Sequence, residues 1–407
     1  MKFRDYQTDI IQRSMKILSM GKFVYLAMEV RTGKTLTSLG ICQNMNPKRV
    51  LFLTKKKAIS SVKKDYESLS PTYSIEVINY ESAHKREFDW FDIVILDEAH
   101  GLGAFPKPSG RAKLARDLCV KASKVILLSG TPTPESYSQI YHQVYGIAGN
   151  PFSMYRNFYL FAKDHVRITS KIINGFSVND YSDGMPTIME KMKPYMINYT
   201  QKEAGFVVDT REIVLNCKMS EETHMIVNKL KRDLVLDFGN GNVVLGDTSV
   251  KLMTKIHQIA SGSVKTEDGA YLITDFSKAN FIFDFFKDTK IGIFYKFKSE
   301  LDLLKSVYKD RLTTDLDDFN STDKNIALQI VSGREGISLR NAEALVYFNI
   351  DFSATSYWQS RDRMTTIDRL QSDVYWIFSD VGIEKRIYGA VSKKKDYTLS
   401  HFKKDFL

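Results

Sequence analysis

Two short polar segments, each following an apolar run, constrain the fold of this chain more than any other feature. Gly33-Lys34-Thr35 comes shortly after the apolar run 23–27, and Asp97-Glu98-Ala99-His100 comes directly after the apolar run 93–96. Short apolar runs bounded by polar and glycine residues are typical of buried strands. Both segments should therefore lie where strands end, and the glycine-containing segment should begin a helix.

Apolar runs alternate with helical stretches along most of the 407 residues. This alternation predicts an α/β fold in which parallel sheets are covered by helices on both faces. Ligands of such sheets bind at the carboxyl ends of the strands, where Gly33, Asp97 and Ser129 are all expected. A helix is predicted over 1–20, and strands are predicted over 23–27, 49–54, 75–79, 93–96, 124–129, 291–297, 326–331, 344–350 and 374–378.

The strand and helix pattern occurs twice, and the chain is longer than a single core usually allows. We expect a first lobe over 1–200, with a helical insertion at about 136–200 that is rich in Tyr, Phe and Met. The second lobe is expected over 201–407. It should contain a helical segment at about 218–262, interrupted by a Gly-Asn turn, and a C-terminal helix at about 383–407.

The two polar segments together have the chemistry of a nucleoside-triphosphate site. Backbone N–H groups at the start of a helix bind phosphate, and Lys34 adds a positive charge for the β and γ phosphates. The Thr35 hydroxyl and the Asp97 carboxylate are suitable ligands for Mg²⁺. Glu98 is placed to orient or deprotonate an attacking water. These residues predict ATP and Mg²⁺ as cofactors.

Each segment by itself has a simpler explanation. Gly33-Lys34-Thr35 also fits an ordinary strand–turn–helix, since Met28 stands where a phosphate loop usually has its first glycine. The Asp-Glu-Ala-His segment also fits a solvated strand end. Both segments after predicted strands, in this order, favour the nucleotide site.

Charge is unevenly distributed along the chain, whose formal net charge is +10. Residues 1–200 contain 28 basic residues (Lys and Arg) and 18 acidic residues (Asp and Glu). Residues 201–407 contain 30 basic and 30 acidic residues. A basic surface attracts phosphate backbones, although it also fits a merely solvated surface. A hydrophobic content of 43% is enough for well-filled cores, so disorder is not the default expectation, and no apolar run is long enough to span a membrane. Three scattered cysteines and an N-terminus without a signal-peptide pattern favour a cytoplasmic setting.

With these motifs in place, the chain resembles the superfamily 2 helicases, and within them the Swi/Snf-type DNA translocases. The resemblance covers nearly the whole chain, and the order and spacing of the motifs match. It implies two tandem RecA-like parallel-sheet lobes with helical insertions. The segments that carry the resemblance are Phe3-Arg4-Asp5-Tyr6-Gln7, Gly33-Lys34-Thr35, Leu53-Thr54-Lys55-Lys56-Lys57, Ile78-Asn79-Tyr80-Glu81, Asp97-Glu98-Ala99-His100, Ser129-Gly130-Thr131-Pro132, Ile293-Phe294-Tyr295-Lys296-Phe297, Ser332-Gly333-Arg334-Glu335-Gly336-Ile337-Ser338-Leu339 and Gln359-Ser360-Arg361-Asp362-Arg363.

The resemblance also implies roles for particular residues. To the nucleotide site described above it adds Arg4, Gln7, Thr32, Gly33 and Gly336 as binding residues and Gln359 and Arg363 as catalytic residues. It assigns the coupling of hydrolysis to strand binding to His100, Ser129 and Thr131. It assigns contacts with nucleic acid to Thr54, Lys55, Lys56, Tyr80, Ser332 and Arg334.

Simpler explanations stay open for several of these positions. The lysines after Thr54 also fit a solvated turn, and Arg334 also fits a surface ion pair. Tyr80 fits a residue that caps the sheet of the first lobe equally well. His100 also fits a histidine at a strand end that is turned to solvent.

One departure from the family pattern concerns hydrolysis. The last motif of the family usually carries a second arginine three residues after the first, and Thr366 occupies that position here. Such arginines stabilise the transition state of phosphoryl transfer. Either Arg361 or Arg369 replaces it, or the chain hydrolyses ATP slowly.

The function predicted on this basis is an ATP-dependent translocase or helicase acting on DNA. Duplex DNA is the favoured partner, with single-stranded or branched DNA as further possibilities, and nothing in the sequence requires more than a monomer. The alternatives are an RNA helicase and a DNA-binding scaffold with a weakened ATPase. A motor of this small size is expected in a prokaryotic or bacteriophage genome, and no membrane partner is expected.

Overall fold

The computed structural model describes residues 3–173, 176–205, 209–333, 338–364 and 371–393. The chain divides into two compact units, Met1–Phe206 and Val207–Leu407. Each unit contains a six-stranded sheet in which all pairs of neighbouring strands are parallel. The predicted α/β class of two tandem RecA-like lobes is confirmed.

The sheet of the first unit has the strand order β3-β2-β4-β5-β1-β8, and a separate two-stranded hairpin pairs β6 with β7. The strands are β1 (Phe23–Met28), β2 (Arg49–Thr54), β3 (Ser74–Asn79), β4 (Phe91–Leu96), β5 (Ala122–Leu128), β6 (Thr169–Ile173), β7 (Phe176–Asp180) and β8 (Met196–Tyr199).

Helices connect these strands and cover both faces of the sheet. They are α1 (Asp5–Met20), α2 (Lys34–Met45), α3 (Ile59–Ser68), α4 (Tyr80–Ala83), α5 (Gly110–Val120), α6 (Ile140–Val144), α7 (Phe158–His165) and α8 (Thr187–Met192), with short 3₁₀ helices at Lys56–Ala58, Ala99–Leu102, Tyr137–Gln139 and Lys193–Tyr195.

Strand β1 shows why this sheet lies inside the unit. All six of its residues are buried. Phe23, Tyr25 and Ala27 belong to the core on one face of the sheet, whereas Val24, Leu26 and Met28 belong to the core on the other. Because successive side chains of a strand point to opposite faces, a strand covered on both sides is apolar throughout rather than alternating.

The insertion at 136–200 differs from its expected helical character. It contains α6, α7 and α8, but it also contains the β6–β7 hairpin and strand β8, which pairs in parallel with β1. Strands of four or five residues show too little periodicity to be recognised locally. β8 is recognisable as a strand only through its pairing with β1, which the sequence does not show.

The sheet of the second unit has the order β15-β16-β14-β17-β18-β9, and two hairpins pair β10 with β11 and β12 with β13. The strands are β9 (Asp209–Cys217), β10 (Val235–Asp237), β11 (Val243–Leu245), β12 (Ser263–Lys265), β13 (Tyr271–Ile273), β14 (Ile291–Tyr295), β15 (Leu312–Thr313), β16 (Asn325–Gln329), β17 (Ala344–Tyr347) and β18 (Gln371–Ser379).

The helices of the second unit follow the same arrangement. They are α9 (Glu221–Asp233), α10 (Ser249–Ile259), α11 (Ser277–Phe285), α12 (Lys298–Tyr308), α13 (Leu316–Ser321), α14 (Ile330–Gly333), α15 (Ala354–Arg361) and α16 (Glu384–Val391), with 3₁₀ helices at Lys309–Arg311 and Asp362–Met364.

Two expectations about the second unit are changed by the structure. The segment 218–262 contains α9 and α10 as expected, but its Gly-Asn turn joins β10 and β11 as a hairpin, with positive φ at Gly239, Asn240 and Gly241. The C-terminal helix is α16, which ends at Val391, and most of the remaining predicted helix lies outside the described residues. In the described part of the chain, no helix has the length and hydrophobicity to cross a bilayer.

Candidate nucleotide site

The loop between β1 and α2 has the conformation that a phosphate loop requires. Gly33 has a φ of +82° and directly precedes α2, so a residue with a side chain would be strained there. A Cβ atom at this position would also lie 2.4 Å from Nε2 of Gln7. The backbone conformation therefore favours glycine at position 33, and a larger residue would also force the Gln7 amide to move.

Lys34 lies against the loop that precedes it. Its Nζ is 3.3 Å from the carbonyl oxygen of Glu29, and the Thr32 hydroxyl donates a 2.7 Å hydrogen bond to the same carbonyl. Thr35 follows in the first turn of α2, where backbone N–H groups have no partner within the helix. The loop thus gathers an ammonium group, a hydroxyl and helix N–H groups, which is a donor set suited to phosphate.

Asp97 is a half-buried carboxylate held in a fixed orientation. Its Oδ2 accepts a 2.6 Å hydrogen bond from the Thr54 hydroxyl, and its Oδ1 accepts a 3.0 Å bond from the Glu98 backbone N–H. Burial and the neighbouring Glu98 charge raise the pKa of Asp97 to about 6, although Thr54 and Lys34 oppose this shift. A carboxylate whose charged form is disfavoured by its surroundings, and which is held in place by the Thr54 hydroxyl, fits Mg²⁺ as a ligand.

Glu98 begins a chain of contacts between two strand ends. It has a left-handed backbone conformation, with φ at +51°. Nδ1 of His100 lies 3.2 Å from Oε2 of Glu98 and 3.0 Å from the Ser129 hydroxyl. The Ser129 hydroxyl in turn accepts a 3.2 Å bond from the Thr131 backbone N–H. The structure therefore brings together the residues to which a coupling role was assigned from the sequence, and His100 is not turned to solvent.

The first helix closes the other side of the phosphate loop. Gln7 is 3% exposed; its Oε1 accepts a 3.0 Å bond from the Arg4 backbone N–H, and its Nε2 lies 3.4 Å from the Thr37 hydroxyl. Tyr6, which was not singled out from the sequence, donates a 3.1 Å bond to the Thr32 carbonyl. The segment from Phe3 to Gln7 is thus attached to the loop by Tyr6 and to helix α2 by Gln7.

Two residues expected to contact nucleic acid are instead buried beneath Asp97. Thr54 is 0% exposed and Tyr80 is 3% exposed. The Tyr80 hydroxyl donates a 2.7 Å hydrogen bond to the Asp97 carbonyl, and the Thr54 hydroxyl is bound to the Asp97 carboxylate. We therefore correct their assignment: both residues support the Asp97 turn, because their polar groups are already used inside the unit.

The lysines that follow Thr54 have the exposure that a phosphate contact needs. Lys55 is half-buried, whereas Lys56 is exposed in the 3₁₀ helix after β2. Both lie near the carboxyl end of β2, at the same edge of the sheet as Asp97. Their contact with nucleic acid remains a prediction.

The second unit holds the other predicted residues. Arg363 is buried in the 3₁₀ helix after α15, and its carbonyl accepts a 2.9 Å bond from the Leu339 N–H. Gln359 lies in α15 and Ser332 lies in α14. Four positions lie outside the described residues: Arg334, Gly336, Thr366 and Arg369.

Arg361, one of the two candidates to replace the missing second arginine, has a different partner. Its Nη1 donates a 3.0 Å bond to Glu212 on β9, and its guanidinium lies 4.4 Å from the centre of the Trp358 ring. This arrangement joins α15 to the edge strand of its own sheet.

Sequence reasoning missed the end of β8 and the turn that follows it, residues 199–205. Gln201 donates from its backbone to the Glu29 carboxylate and from its side chain to the Val30 carbonyl. Tyr199 stacks on Tyr6, with ring centres 4.7 Å apart. Tyr6 lies within a motif that was recognised, but no local pattern connects Gln201 to a loop about 170 positions earlier.

The fold and this geometry define the class of the protein. A parallel sheet with Gly-Lys-Thr at the start of a helix and Asp-Glu at the end of a nearby strand is a P-loop nucleotide-binding domain, here followed by a second RecA-like unit. The family model of the SNF2-related domain matches residues 11–274, which is more than half of the chain. The chain therefore belongs to the SNF2-related domain family.

Two solved structures that resemble the chain are both of the SWI2/SNF2 ATPase core of Sulfolobus solfataricus. The core in complex with dsDNA is 16% identical, with a TM-score of 0.42, and the match covers 99% of this chain and 92% of that chain. The core domain alone is 15% identical, with a TM-score of 0.43 and coverage of 97% and 89%. A comparison with curated proteins finds no match.

Proposed function

We propose that this chain hydrolyses Mg-ATP and uses the energy to move along, or remodel, duplex DNA. The observation that carries the ATPase part is the orientation of Asp97 by Thr54 and the Glu98 N–H, at the sheet edge that also carries the Lys34 loop. Membership of the SNF2-related family supports the DNA-motor part.

In this proposal Thr35 and Asp97 hold Mg²⁺, which when bound neutralises charge on the β and γ phosphates. Lys34 exchanges its contact with the Glu29 carbonyl for phosphate oxygens. Glu98, whose carboxylate is oriented beside His100, polarises the attacking water. Gln359 and Arg363 are assigned to stabilisation of the transition state, and Gly336 to nucleotide binding.

The DNA part of the proposal is supported by charge. The basic excess of the chain lies entirely within residues 1–200, and Lys55 and Lys56 project near the edge of that unit's sheet. Basic groups bind a phosphate backbone by releasing counterions, so binding should weaken as salt is raised. Ser332 and Arg334 are proposed as the corresponding contacts of the second unit.

The test is steady-state ATP hydrolysis without nucleic acid and with single-stranded DNA, duplex DNA or RNA, at low and moderate salt. We expect the strongest stimulation by duplex DNA and no turnover by Lys34→Ala under any condition. Equal stimulation by RNA and DNA would favour the RNA-helicase alternative. Turnover that does not respond to any nucleic acid would contradict the motor.

Movement and strand separation require separate assays. A translocase on duplex DNA displaces the third strand of a triplex without separating a plain duplex. We expect activity in the triplex assay and little in the duplex-unwinding assay. The opposite result would assign the chain to the unwinding helicases.

A second candidate function is a DNA-binding scaffold with a weakened ATPase. It is favoured by Thr366 at the position of the usual second arginine and by the engagement of Arg361 with Glu212. ATP turnover that is abolished by Glu98→Gln would exclude this candidate. Tight DNA binding without turnover would support it.

A further inference from the structure

The end of β8 and the turn that follows it, residues 199–205, brace the phosphate loop through three hydrogen bonds. The Glu29 backbone N–H donates to the Tyr199 carbonyl at 2.9 Å. The Gln201 backbone N–H donates to Oε2 of Glu29 at 2.7 Å, and Nε2 of Gln201 donates to the Val30 carbonyl at 3.0 Å. Two consecutive loop residues are therefore fixed by one residue of the distant segment.

These hydrogen bonds lie next to the Glu29 carbonyl, which Lys34 contacts. The Glu29 carbonyl lies 3.3 Å from Nζ of Lys34, and the peptide that follows this carbonyl leads to Val30, whose own carbonyl is bound by Gln201. The next residue, Arg31, has a φ of +65°, which a residue with a side chain adopts at a cost in free energy. A loop with such a conformation needs external contacts to keep it in place.

The bracing segment keeps its own shape by other contacts. The Glu203 carboxylate accepts bonds from the Thr200 backbone N–H and hydroxyl, both at 2.7 Å. The Tyr199 hydroxyl donates to the Glu203 carbonyl at 3.0 Å. The turn is thus closed independently of the loop, and the Gln201 side chain extends from it as a separate connection.

The turn at 199–205, from which Gln201 contacts the phosphate loop, lies near the boundary between the two units. It lies at the end of the first unit, Met1–Phe206, immediately before the chain enters the second unit. The Gln201 side chain therefore joins the Val30 carbonyl of the phosphate loop to a turn that lies a few residues before the boundary between the two units.

We propose that Gln201 is a positioning residue that fixes the phosphate loop and links the occupancy of the loop to the turn at 199–205. Nucleotide that draws Lys34 away from the Glu29 carbonyl alters the Glu29–Val30 peptide, which adjoins the Val30 carbonyl that Gln201 binds, and the turn at 199–205 responds. This inference rests on the proposed function, since it takes ATP as the occupant of the loop.

The test compares Gln201→Ala and Gln201→Met with the wild type in the full chain. Methionine keeps most of the side-chain volume but removes the amide donor, so it separates hydrogen bonding from packing. Gln12→Ala is the matched control, because Gln12 is an exposed residue of α1 in the same unit. Binding of a fluorescent, non-hydrolysable ATP analogue is measured, together with deuterium uptake of the segment 199–205 with and without the analogue.

We expect both Gln201 variants to bind the analogue about three- to tenfold more weakly, the loss of one hydrogen bond. The KM for ATP should rise by a similar factor while kcat changes less than about twofold, because the loop is held in the ground state and the transition state alike. The analogue should lower deuterium uptake at 199–205 in the wild type and in Gln12→Ala, but not in the Gln201 variants.

The outcomes separate this inference from the function on which it rests. If the wild type binds the analogue and Lys34→Ala does not, but the Gln201 variants bind and exchange as the wild type does, the inference alone is overturned. If Gln201→Ala loses binding and Gln201→Met retains it, the side chain acts by packing and the positioning role is overturned. If the wild type binds no analogue, both proposals are overturned.

Discussion

The Thr54 hydroxyl donates a 2.6 Å hydrogen bond to Oδ2 of Asp97 across two neighbouring strands. Tyr80, which follows the next strand of the sheet, adds a bond from its hydroxyl to the Asp97 carbonyl. Three adjacent strands, β3, β2 and β4, thus contribute to one turn. The candidate Mg²⁺ ligand is held by residues at the ends of the neighbouring strands as well as by the Glu98 N–H of its own turn.

Replacing Thr54 by valine should impair the use of Mg²⁺. Thr54→Val keeps the shape of the side chain but removes a hydrogen bond to a charged group, a loss of about 1.5–3 kcal/mol. We expect the Mg²⁺ concentration that gives half-maximal ATP hydrolysis to rise about tenfold or more. Thr54→Ser, which keeps the hydroxyl, is the control and should remain close to the wild type. An unchanged Mg²⁺ requirement in Thr54→Val would show that the bond does not position Asp97.

Replacing Tyr80 by phenylalanine should weaken the fold without changing DNA affinity. Tyr80→Phe removes the bond to the Asp97 carbonyl, so the free energy of unfolding should fall by about 1 kcal/mol. Denaturant unfolding measures this loss, and a DNA titration at fixed salt measures affinity. The replacement of Lys56 by alanine, an exposed position, should show the reverse pattern. Weaker DNA binding by Tyr80→Phe at full stability would return Tyr80 to the nucleic-acid surface.

Replacing Glu212 by glutamine should lower the stability of the second unit. Its carboxylate accepts hydrogen bonds from the side chains of Tyr357, Arg361, Trp376 and Tyr388. Glu212→Gln leaves one acceptor oxygen for these donors and removes the charge opposite Arg361. We expect the free energy of unfolding to fall by roughly 2–3 kcal/mol, measured by urea or thermal unfolding.

The matched control for Glu212 is Asp373→Asn. Asp373 on β18 pairs with Arg211 on β9, the strand that also carries Glu212. The Arg211 side chain, however, is 57% exposed. Pairs with an exposed partner contribute little, so a loss of about 1 kcal/mol or less is expected. Equal losses at the two positions would indicate that the Glu212 cluster is no stronger than a surface ion pair.

Because of His257, the free energy of unfolding of the second unit should fall as the pH is lowered into mild acid. It is fully buried, donates from Nε2 to the Ile350 carbonyl, and faces Lys296, Lys278 and Asp351. Burial and the Lys296 charge hold the pKa of His257 well below its usual value. In the unfolded chain the ring takes up a proton near pH 6.5, whereas in the folded chain it remains neutral.

The unfolded state therefore binds more protons below that pH, and stability is lost as the pH falls through it. We expect His257 to contribute a decline of up to about 1.4 kcal/mol per pH unit below pH 6. The free energy of unfolding of the wild type and of His257→Gln is measured in urea between about pH 7.5 and pH 5. The pH dependence of the two proteins is then compared. Parallel pH dependence in the two proteins would show that the ring takes up its proton over the same pH range in the folded and unfolded chains, which would contradict the prediction.

Much of the fold could be predicted from the sequence because its strands are buried on both faces. Strand β2 has the predicted bounds, and β1 and β4 extend the predicted runs by one and two residues. Continuous apolar runs of this kind identify central strands by composition alone. The edge strands β8 and β9 were not predicted, since β8 has only four residues and β9 contains Asp209, Arg211 and Glu212.

The sequence by itself determined the α/β class, the positions of the Gly-Lys-Thr loop and the Asp-Glu turn, and hence the kind of ligand the first unit is built for. These features depend on residues close together in the chain. Only the tertiary structure decided that Thr54 and Tyr80 hold Asp97, that Glu212 gathers four donors, and that Gln201 braces the phosphate loop. Each of these contacts joins residues that are distant in the chain, and strand pairing sets their distance and orientation, which local periodicity does not encode.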